Sequence, residues 1–335
     1  MGRLGVAGAA VAAALALATA GCGDTDDADT GRPAAEKVTY LTGAGVQGRE
    51  AYVYMAIEKG YFAAAGFDVE VRPGNGTNQN LQLLQSGQAD FAVVDITAAL
   101  IEYGRGTFTD FTVVSALHQR NLSCIAAIAG KGIAQPRDLA GKKIGYLPGG
   151  VVKALFDAYA GRAGLDAGAI EWVNMPAQQM PQNLAAGTID AATQLVVGAP
   201  AIEAAAKGQK AVVLPLSDHL PDLYGNGIAV GRAAATDRPD RVRRFNDAVL
   251  KGLADVIADP AEAGRIYAKY QKIQPPAVAA AEVRLMVPYA TGGTALGVLD
   301  EARMTRNVEL VHSAGAMPKV VEPADVVSFD LAPKG

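Results

Sequence analysis

Two stretches of this chain repeat one pattern, and that repeat narrows the possible folds more than any other feature. Leu81-Gln82-Leu83-Leu84-Gln85-Ser86-Gly87-Gln88-Ala89-Asp90-Phe91-Ala92-Val93-Val94-Asp95 is matched by Pro181-Gln182-Asn183-Leu184-Ala185-Ala186-Gly187-Thr188-Ile189-Asp190-Ala191-Ala192-Thr193-Gln194-Leu195, with Gly87 aligned on Gly187 and Asp90 on Asp190. Each copy reads as an amphipathic helix stopped by a glycine, which takes a left-handed cap without a Cβ penalty, and then as a short strand. Ligands of open α/β sheets bind outside the carboxyl ends of the strands. If each copy belongs to its own sheet, Asp95 and Gln194 stand at facing strand ends, and the chain is a pair of lobes closing on a small molecule.

The bulk numbers agree with two lobes. At 335 residues the chain exceeds a usual single core, and 50% hydrophobic with 19% charged residues suits a well-cored globular protein. A net charge of −4 without a basic block argues against a nucleic-acid partner. Two distant cysteines exclude a disulfide scaffold and a cysteine-based zinc cluster, and Cys124 reads as a buried strand residue. No metal and no cofactor is expected.

Arg3 precedes an apolar run from Leu4 to Ala20, which ends in Gly21-Cys22 and an acidic, small-residue segment from Gly23 to Thr30. That order describes an export signal. Thr19-Ala20-Gly21-Cys22 resembles a bacterial lipobox, in which the cysteine is lipidated and becomes the mature N-terminus, although Leu is commoner than Thr at position 19. The rival is an uncleaved anchor, for which the run is short. Residues 1–21 are then a signal peptide and 22–36 a disordered tether. A diacylated Cys22 would hold the protein on the outer face of the cytoplasmic membrane.

After a strand at Val38 to Leu41, Gly43-Ala44-Gly45-Val46-Gln47-Gly48 leads into a helix from about Glu50 to Ala64. Taken literally this is a G-x-G-x-x-G dinucleotide fingerprint. Export from the nicotinamide pool, Arg49-Glu50 where the fingerprint has an apolar helix face, and the lack of a following catalytic acid or base all argue against it. The alternative is a glycine loop in which Thr42, Gly43, Gln47 and Gly48, with the adjoining helix start, face a polar or anionic ligand group. Asn75 and Thr77 lie in a turn that either contacts ligand or only caps the next helix. Asp95 is either an N-cap ahead of Thr97 or a carboxylate accepting hydrogen bonds from an amino or protonated heteroaromatic group.

Three runs then carry a resemblance: Tyr54-Met55-Ala56-Ile57-Glu58-Lys59-Gly60-Tyr61-Phe62, Gly66-Phe67-Asp68-Val69-Glu70-Val71 and Leu84-Gln85-Ser86-Gly87-Gln88-Ala89-Asp90-Phe91. Together they resemble the first lobe of the nitrate, taurine, alkanesulfonate and thiamine-pyrimidine-precursor family of ABC transporter substrate-binding proteins. The resemblance extends from about Val38 to Leu331. It implies a two-lobed, type II periplasmic-binding-protein-like α/β fold with two crossover strands and a ligand cleft between the lobes. Lobe one is expected at 37–127 plus 228–335 and lobe two at 128–227, with straps near Ala126 to Gly130 and Ile228 to Gly231.

In lobe two, Leu147-Pro148-Gly149-Gly150 precedes a helix from Val151 to Ala163, and the resemblance makes Gly149, Gly150 and Val151 ligand contacts; a plain tight turn is the alternative. Trp172 is core or a stacking platform. His118 is one of three histidines, too few for a metal site, and reads as a satisfied polar side chain near the cleft, with Gln119 beside it. Tyr224 and Asn226 would line the cleft at a glycine-rich hinge. The late helices, Asp240 to Ala258, Pro260 to Lys269, Pro275 to Met286 and Ala302 to Ala314, would pack on lobe one. In the first of these, Arg241, Arg243, Arg244 and Asp247 point outward. Pro318 to Gly335 reads as an extended tail.

No zinc-protease pair, nucleophile elbow or phosphate-loop lysine appears, and the resemblance implies a non-enzymatic solute-binding lipoprotein, expected to be monomeric. Its partners would be a small-molecule ligand, an ABC permease and that permease's ATPase. A pyrimidine-synthase-like enzyme and a sensory lipoprotein are the other classes. For the ligand, Asp95 and the run Ala116 to Leu122, which resembles the corresponding run in the family's pyrimidine-binding branch, favour a thiamine-precursor aminopyrimidine, while Gly149, Gly150 and the Gly43 to Gly48 loop would suit an alkanesulfonate, taurine or nitrate anion.

Overall fold

A computed structural model describes residues 35–292 and 295–334. The expected signal peptide, the lipidation site Cys22 and nearly all of the tether lie outside the described residues. Among those described, no helix is long and apolar enough to cross a membrane.

The chain runs β1 (Glu36–Leu41), α1 (Ala51–Glu58), α2 (Tyr61–Ala64), β2 (Phe67–Arg72), α3 (Thr77–Gln85), β3 (Phe91–Asp95), α4 (Ile96–Gly104) and β4 (Thr112–Ala116). It continues as β5 (Ser123–Ile128), β6 (Lys143–Tyr146), α5 (Val151–Ala154), α6 (Phe156–Ala163), β7 (Glu171–Asn174), α7 (Met180–Ala186), β8 (Ala191–Leu195), α8 (Ala199–Ala205) and β9 (Ala211–Pro215). Then come β10 (Asn226–Val230), α9 (Arg232–Asp237), α10 (Pro239–Ala258), α11 (Pro260–Tyr270), α12 (Pro276–Thr291), α13 (Glu301–Ser313) and α14 (Pro323–Val326). Two predicted helices are broken in two. Gly60 takes a left-handed conformation (φ 72°) between α1 and α2, and Leu155 interrupts α5 and α6. The tail expected to be extended carries α14 and a closing turn.

Two five-stranded sheets form, in the orders β2-β1-β3-β10-β4 and β7-β6-β8-β5-β9. In each, one strand runs against the others: β10 is antiparallel to β3 and β4, and β5 to β8 and β9. The chain therefore enters β10 and β5 at the edge where the parallel strands end, and the two sheets turn their carboxyl edges toward the same connecting backbone. That backbone is a pair of passages, residues 117–122 and 216–225. They are hydrogen-bonded to each other, Gly225 N–H to His118 O at 3.0 Å and Asn121 N–H to Leu223 O at 3.1 Å. Because β5 sits in the second sheet, the lobe boundary expected after residue 127 moves to the passage before Ser123. The second expected strap, Ile228 to Gly231, lies largely inside the first sheet as β10. Both displacements have one cause: an apolar strand does not reveal which sheet pairs it.

The repeated segments fold alike. Gly87 and Gly187 both adopt left-handed conformations (φ 69° and 73°) and donate to Leu84 and Leu184 at 3.1 Å each. The Asp90 amide donates to Thr39 O at 3.0 Å, while its carboxylate accepts the Thr39 N–H at 2.9 Å. Asp190 makes the same reciprocal pair with Lys143, at 2.8 Å both ways. Each aspartate thus pins the start of its strand to the parallel neighbour.

On lobe one, α10 lays Phe245 flat on Phe91 at 3.7 Å between ring centroids, with Phe62 and Phe67 around it. Arg241, expected to point outward, is only 5% exposed. Its Nε donates to Glu36 at 2.7 Å and its Nη2 to Asp90 at 2.8 Å, a buried charge held by two carboxylates. The twin aspartates therefore differ in energetic weight. Asp90→Ala leaves a buried guanidinium half-paired and is expected to cost about 3 kcal/mol, whereas Asp190→Ala loses a backbone hydrogen bond worth about 1 kcal/mol. Urea unfolding of the two variants checks this, and equal losses would contradict it.

Candidate functional site

The loop after β1 is held from within. Thr42 is buried; its hydroxyl donates to Gly45 O at 2.8 Å and accepts the Gly74 N–H at 3.0 Å. Asn80, which the sequence reading passed over, donates to Thr42 O at 2.8 Å and Val93 O at 2.7 Å and so locks β1 to β3. A Cβ on Gly43 would lie 3.3 Å from the Asn226 amide and 3.4 Å from Glu50, so this backbone closes over those two side chains. Gly48 was expected to offer its amide to a ligand. Instead the amide donates to Gln274 at 3.1 Å, and a Cβ there would sit 2.5 Å from Ala279 Cα, because this turn packs directly on α12. Gln47 accepts from Arg49, and Arg49 also donates to Ala44 O at 2.9 Å.

Asp95 ends β3 and caps α4: one carboxylate oxygen accepts the Ala98 N–H at 2.9 Å and the other accepts from Asn121 at 3.0 Å. Its own N–H donates to Thr77 Oγ1 at 3.0 Å. The N-cap geometry weighed for Asp95 is therefore present, and Thr77 supports it. Asn75, next to this turn, is exposed and bridges Ala44. Thr97 is buried and donates to Tyr224 O at 3.3 Å. Burial pushes the Asp95 carboxyl up to about 6, against the opposing pull of its hydrogen bonds.

Two expected contacts face elsewhere. The Tyr224 ring is buried under the Arg303 guanidinium at 3.8 Å, and its hydroxyl accepts the Asp300 N–H at 2.9 Å, so it packs on the start of α13. Gln119 donates to Val298 O at 2.9 Å on that same side. Neither lines the edge between the sheets. His118 does not fit the satisfied side chain expected of it, since both ring nitrogens are buried without a hydrogen-bond partner. Burial, helped by the Arg49 charge, pushes its pKa down to about 3, so the ring is neutral. The glycines near the passage serve close approach, not unusual dihedrals: a Cβ on Gly225 would lie 2.7 Å from Arg120 O, and one on Gly227 2.5 Å from Ser115 O.

On the lobe-two edge, Gly149 is exposed in a left-handed turn (φ 77°) and Gly150 donates back to Leu147 O at 3.1 Å, which is tight-turn geometry. Val151 is buried at the start of a four-residue helix. Gln194 folds onto its own strand end, accepting the Leu195 N–H at 3.0 Å. Trp172 packs edge-on against Phe156 at 4.8 Å, with Lys153 over its face at 4.2 Å. Asp95 and Gln194 do stand at the carboxyl ends of β3 and β8. The first passage links those ends, since Asn121 reaches Asp95 while Leu122 O accepts the Val196 N–H at 2.9 Å.

Two sheets joined edge to edge by a double passage define the periplasmic-binding-protein fold. Among solved structures it is shared by the aliphatic sulphonate binding protein SsuA of Escherichia coli, at 16% identity and TM-score 0.70 over 89% of this chain and 92% of that one. Another is the alkanesulfonate-binding SsuA of Xanthomonas axonopodis pv. citri bound to MOPS, at 18% identity and TM-score 0.68 over 88% and 98%. In sequence, the riboflavin-binding protein RibY of Chloroflexus aurantiacus is 28% identical over 296 residues, 84% of this chain and 82% of that protein. Residues 48–263 match the family model described as NMT1/THI5 like, and the chain belongs to that family.

Asp95 also makes the fold pH-sensitive. Its pKa is higher folded than the 3.8 of a free carboxyl, so its contribution is full at low pH and is lost as pH rises from about 4 to about 6. Subtracting the stability of Asp95→Asn from that of the wild type at each pH isolates the effect from His118. The difference is expected to fall across that window, and a flat or rising difference would contradict it.

Proposed function

We propose that this chain is the solute-binding component of an ABC importer and that it captures a planar, uncharged nitrogen heterocycle with a pyrimidine-type hydrogen-bonding edge. Riboflavin and the thiamine-precursor aminopyrimidine are the two members to test. One observation carries the choice over an anion: the cations around the facing edges are already committed. Arg49 spends its two terminal nitrogens on Gln47 and Ala44 beside Glu50 and keeps only its Nε–H, Arg120 pairs with Asp218 at 2.9 Å, and Lys153 lies on Trp172. The polar groups at these ends are a carboxylate and amides, Asp95, Asn226 and Gln194, which suit a ligand that brings N–H donors. The riboflavin-binding relative supports the same class.

Capture works by population shift. Contacts from both lobes exist only when the edges meet, so the ligand favours closure by its differential affinity, and the closed form is what a permease recognises. Lipidation at Cys22 would keep the loaded protein beside that permease on the outer face of the cytoplasmic membrane. Thermal-shift titration of the purified protein with riboflavin, the hydroxymethyl aminopyrimidine and ethanesulfonate tests the reading. A heterocycle is expected to raise the melting temperature in a concentration-dependent way while the sulfonate leaves it unmoved. The reverse order would sink the heterocycle class and restore the anion.

A further inference from the structure

Just behind the strand ends lies a concentration of unmet hydrogen-bonding capacity. Arg49, His118 and Glu282 are 2%, 1% and 6% exposed, and they come from the Gly48–Glu50 turn, the first passage and α12. Four of the six buried side-chain polar atoms without a partner among the described residues belong to these three: Arg49 Nε, both His118 ring nitrogens and Glu282 Oε2. Arg49 Nε lies 3.3 Å from Glu50 Oε1 but is not aligned for a hydrogen bond. Glu282 Oε1 accepts from Gln274 at 2.8 Å, and Oε2 has no partner at hydrogen-bond geometry, although burial raises the carboxyl pKa and the Gly48 and Arg49 amides pull it down against that rise. The elements that carry them meet on α12: the Gly48–Glu50 turn packs against that helix and donates from Gly48 N–H to Gln274 at 3.1 Å, and the first passage donates from Arg120 N–H to Tyr289 O at 2.9 Å. Since α12 packs on the Gly48–Glu50 turn and also on the lobe-two turn Val196–Gly198, the cluster sits at the seam between lobes.

Leaving such atoms unpaired costs about 1 to 3 kcal/mol each, and native folds rarely keep several together unless another molecule meets them. We propose that Arg49, His118 and Glu282 are the polar anchor of the ligand site and determine its specificity for a heterocycle edge with alternating donors and acceptors. This rests on the heterocycle reading above. Arg49 Nε–H donates, Glu282 Oε2 accepts, and the neutral His118 ring offers one of each. A flavin's pyrimidinedione edge or the amino and ring nitrogens of an aminopyrimidine match that set. A sulfonate, which only accepts, leaves Glu282 and one imidazole nitrogen unmet. Sites built to hydrogen-bond both ways reject ligands lacking one partner far more strongly than apolar pockets reject a misfit.

A residue waiting for ligand weakens the unliganded fold, and this separates an anchor from a structural residue. Calorimetric titration of full-length wild type, His118→Phe and Glu282→Gln with riboflavin, the hydroxymethyl aminopyrimidine and ethanesulfonate, with melting temperatures of the unliganded proteins, is the test. His118→Phe is expected to melt above the wild type, because an apolar ring replaces two orphaned nitrogens, and yet to bind the heterocycle about tenfold or more weakly. Glu282→Gln, which preserves the packing, is expected to melt with the wild type and to lose affinity by a similar factor. Affinity within about twofold of wild type in both variants overturns the anchor. A wild type that takes only ethanesulfonate overturns the heterocycle class and the anchor with it, because a sulfonate gives Glu282 nothing to accept; a wild type that binds none of the three overturns both.

Discussion

One guanidinium holds the backbone on which the two lobes depend. Arg303, on α13, donates from Nε to Asp222 O at 2.8 Å and from Nη2 to Gln119 O and to Pro221 O and Leu223 O at 3.3 Å, while its face stacks on Tyr224. These carbonyls belong to the two passages, which lie beyond the ends of both sheets and have no full ladder to satisfy them. Buried backbone oxygens without partners are costly, and an arginine fork is the side chain able to serve several at fixed geometry. Asn307 adds a bond to Asp222 O at 2.6 Å, and Asn121 one to Tyr224 O at 2.8 Å. The passages are thereby a defined connector whose shape fixes how the carboxyl edges meet.

Given that connector, the polar character of the seam follows from sheet chemistry. Each parallel strand ends in a loop that starts a helix or a tight turn, so each end needs a cap. Asp95 supplies one for α4, and Asn80 and Thr42 tie the neighbouring loop. Groups that satisfy the fold and buried groups without a partner thus share the same turns and passages. Sequence position alone sorts them badly: Thr42 and Gly48 serve the fold, while His118 and Glu282 carry buried atoms without a partner.

Much of the architecture was legible in one repeated pattern. A glycine stop followed by an aspartate at a strand start appears twice, and both copies adopt the same dihedral and the same reciprocal bond, because only local geometry is needed to make them. Long amphipathic helices such as α10 were equally clear. Less legible was the direction of charged residues on those helices. Arg241 carries the charge of a solvent-facing residue, yet Glu36 and Asp90, distant in sequence, draw it inward. Glu282 and Arg303 gave no signal either, since nothing in a helical period says which polar position will meet another element.

By itself the amino-acid order determined the local units: where helices stop, which strands are apolar on both faces, and that two similar halves exist. Those follow from backbone propensity and hydrophobic spacing, which act over a few residues. Only the tertiary structure decided that β5 joins the second sheet, that Tyr224 turns toward α13, and that the Gly48–Glu50 turn and the first passage both pack on α12. These outcomes depend on pairing and desolvation between segments hundreds of ångströms of extended chain apart, and no short window of sequence contains both partners.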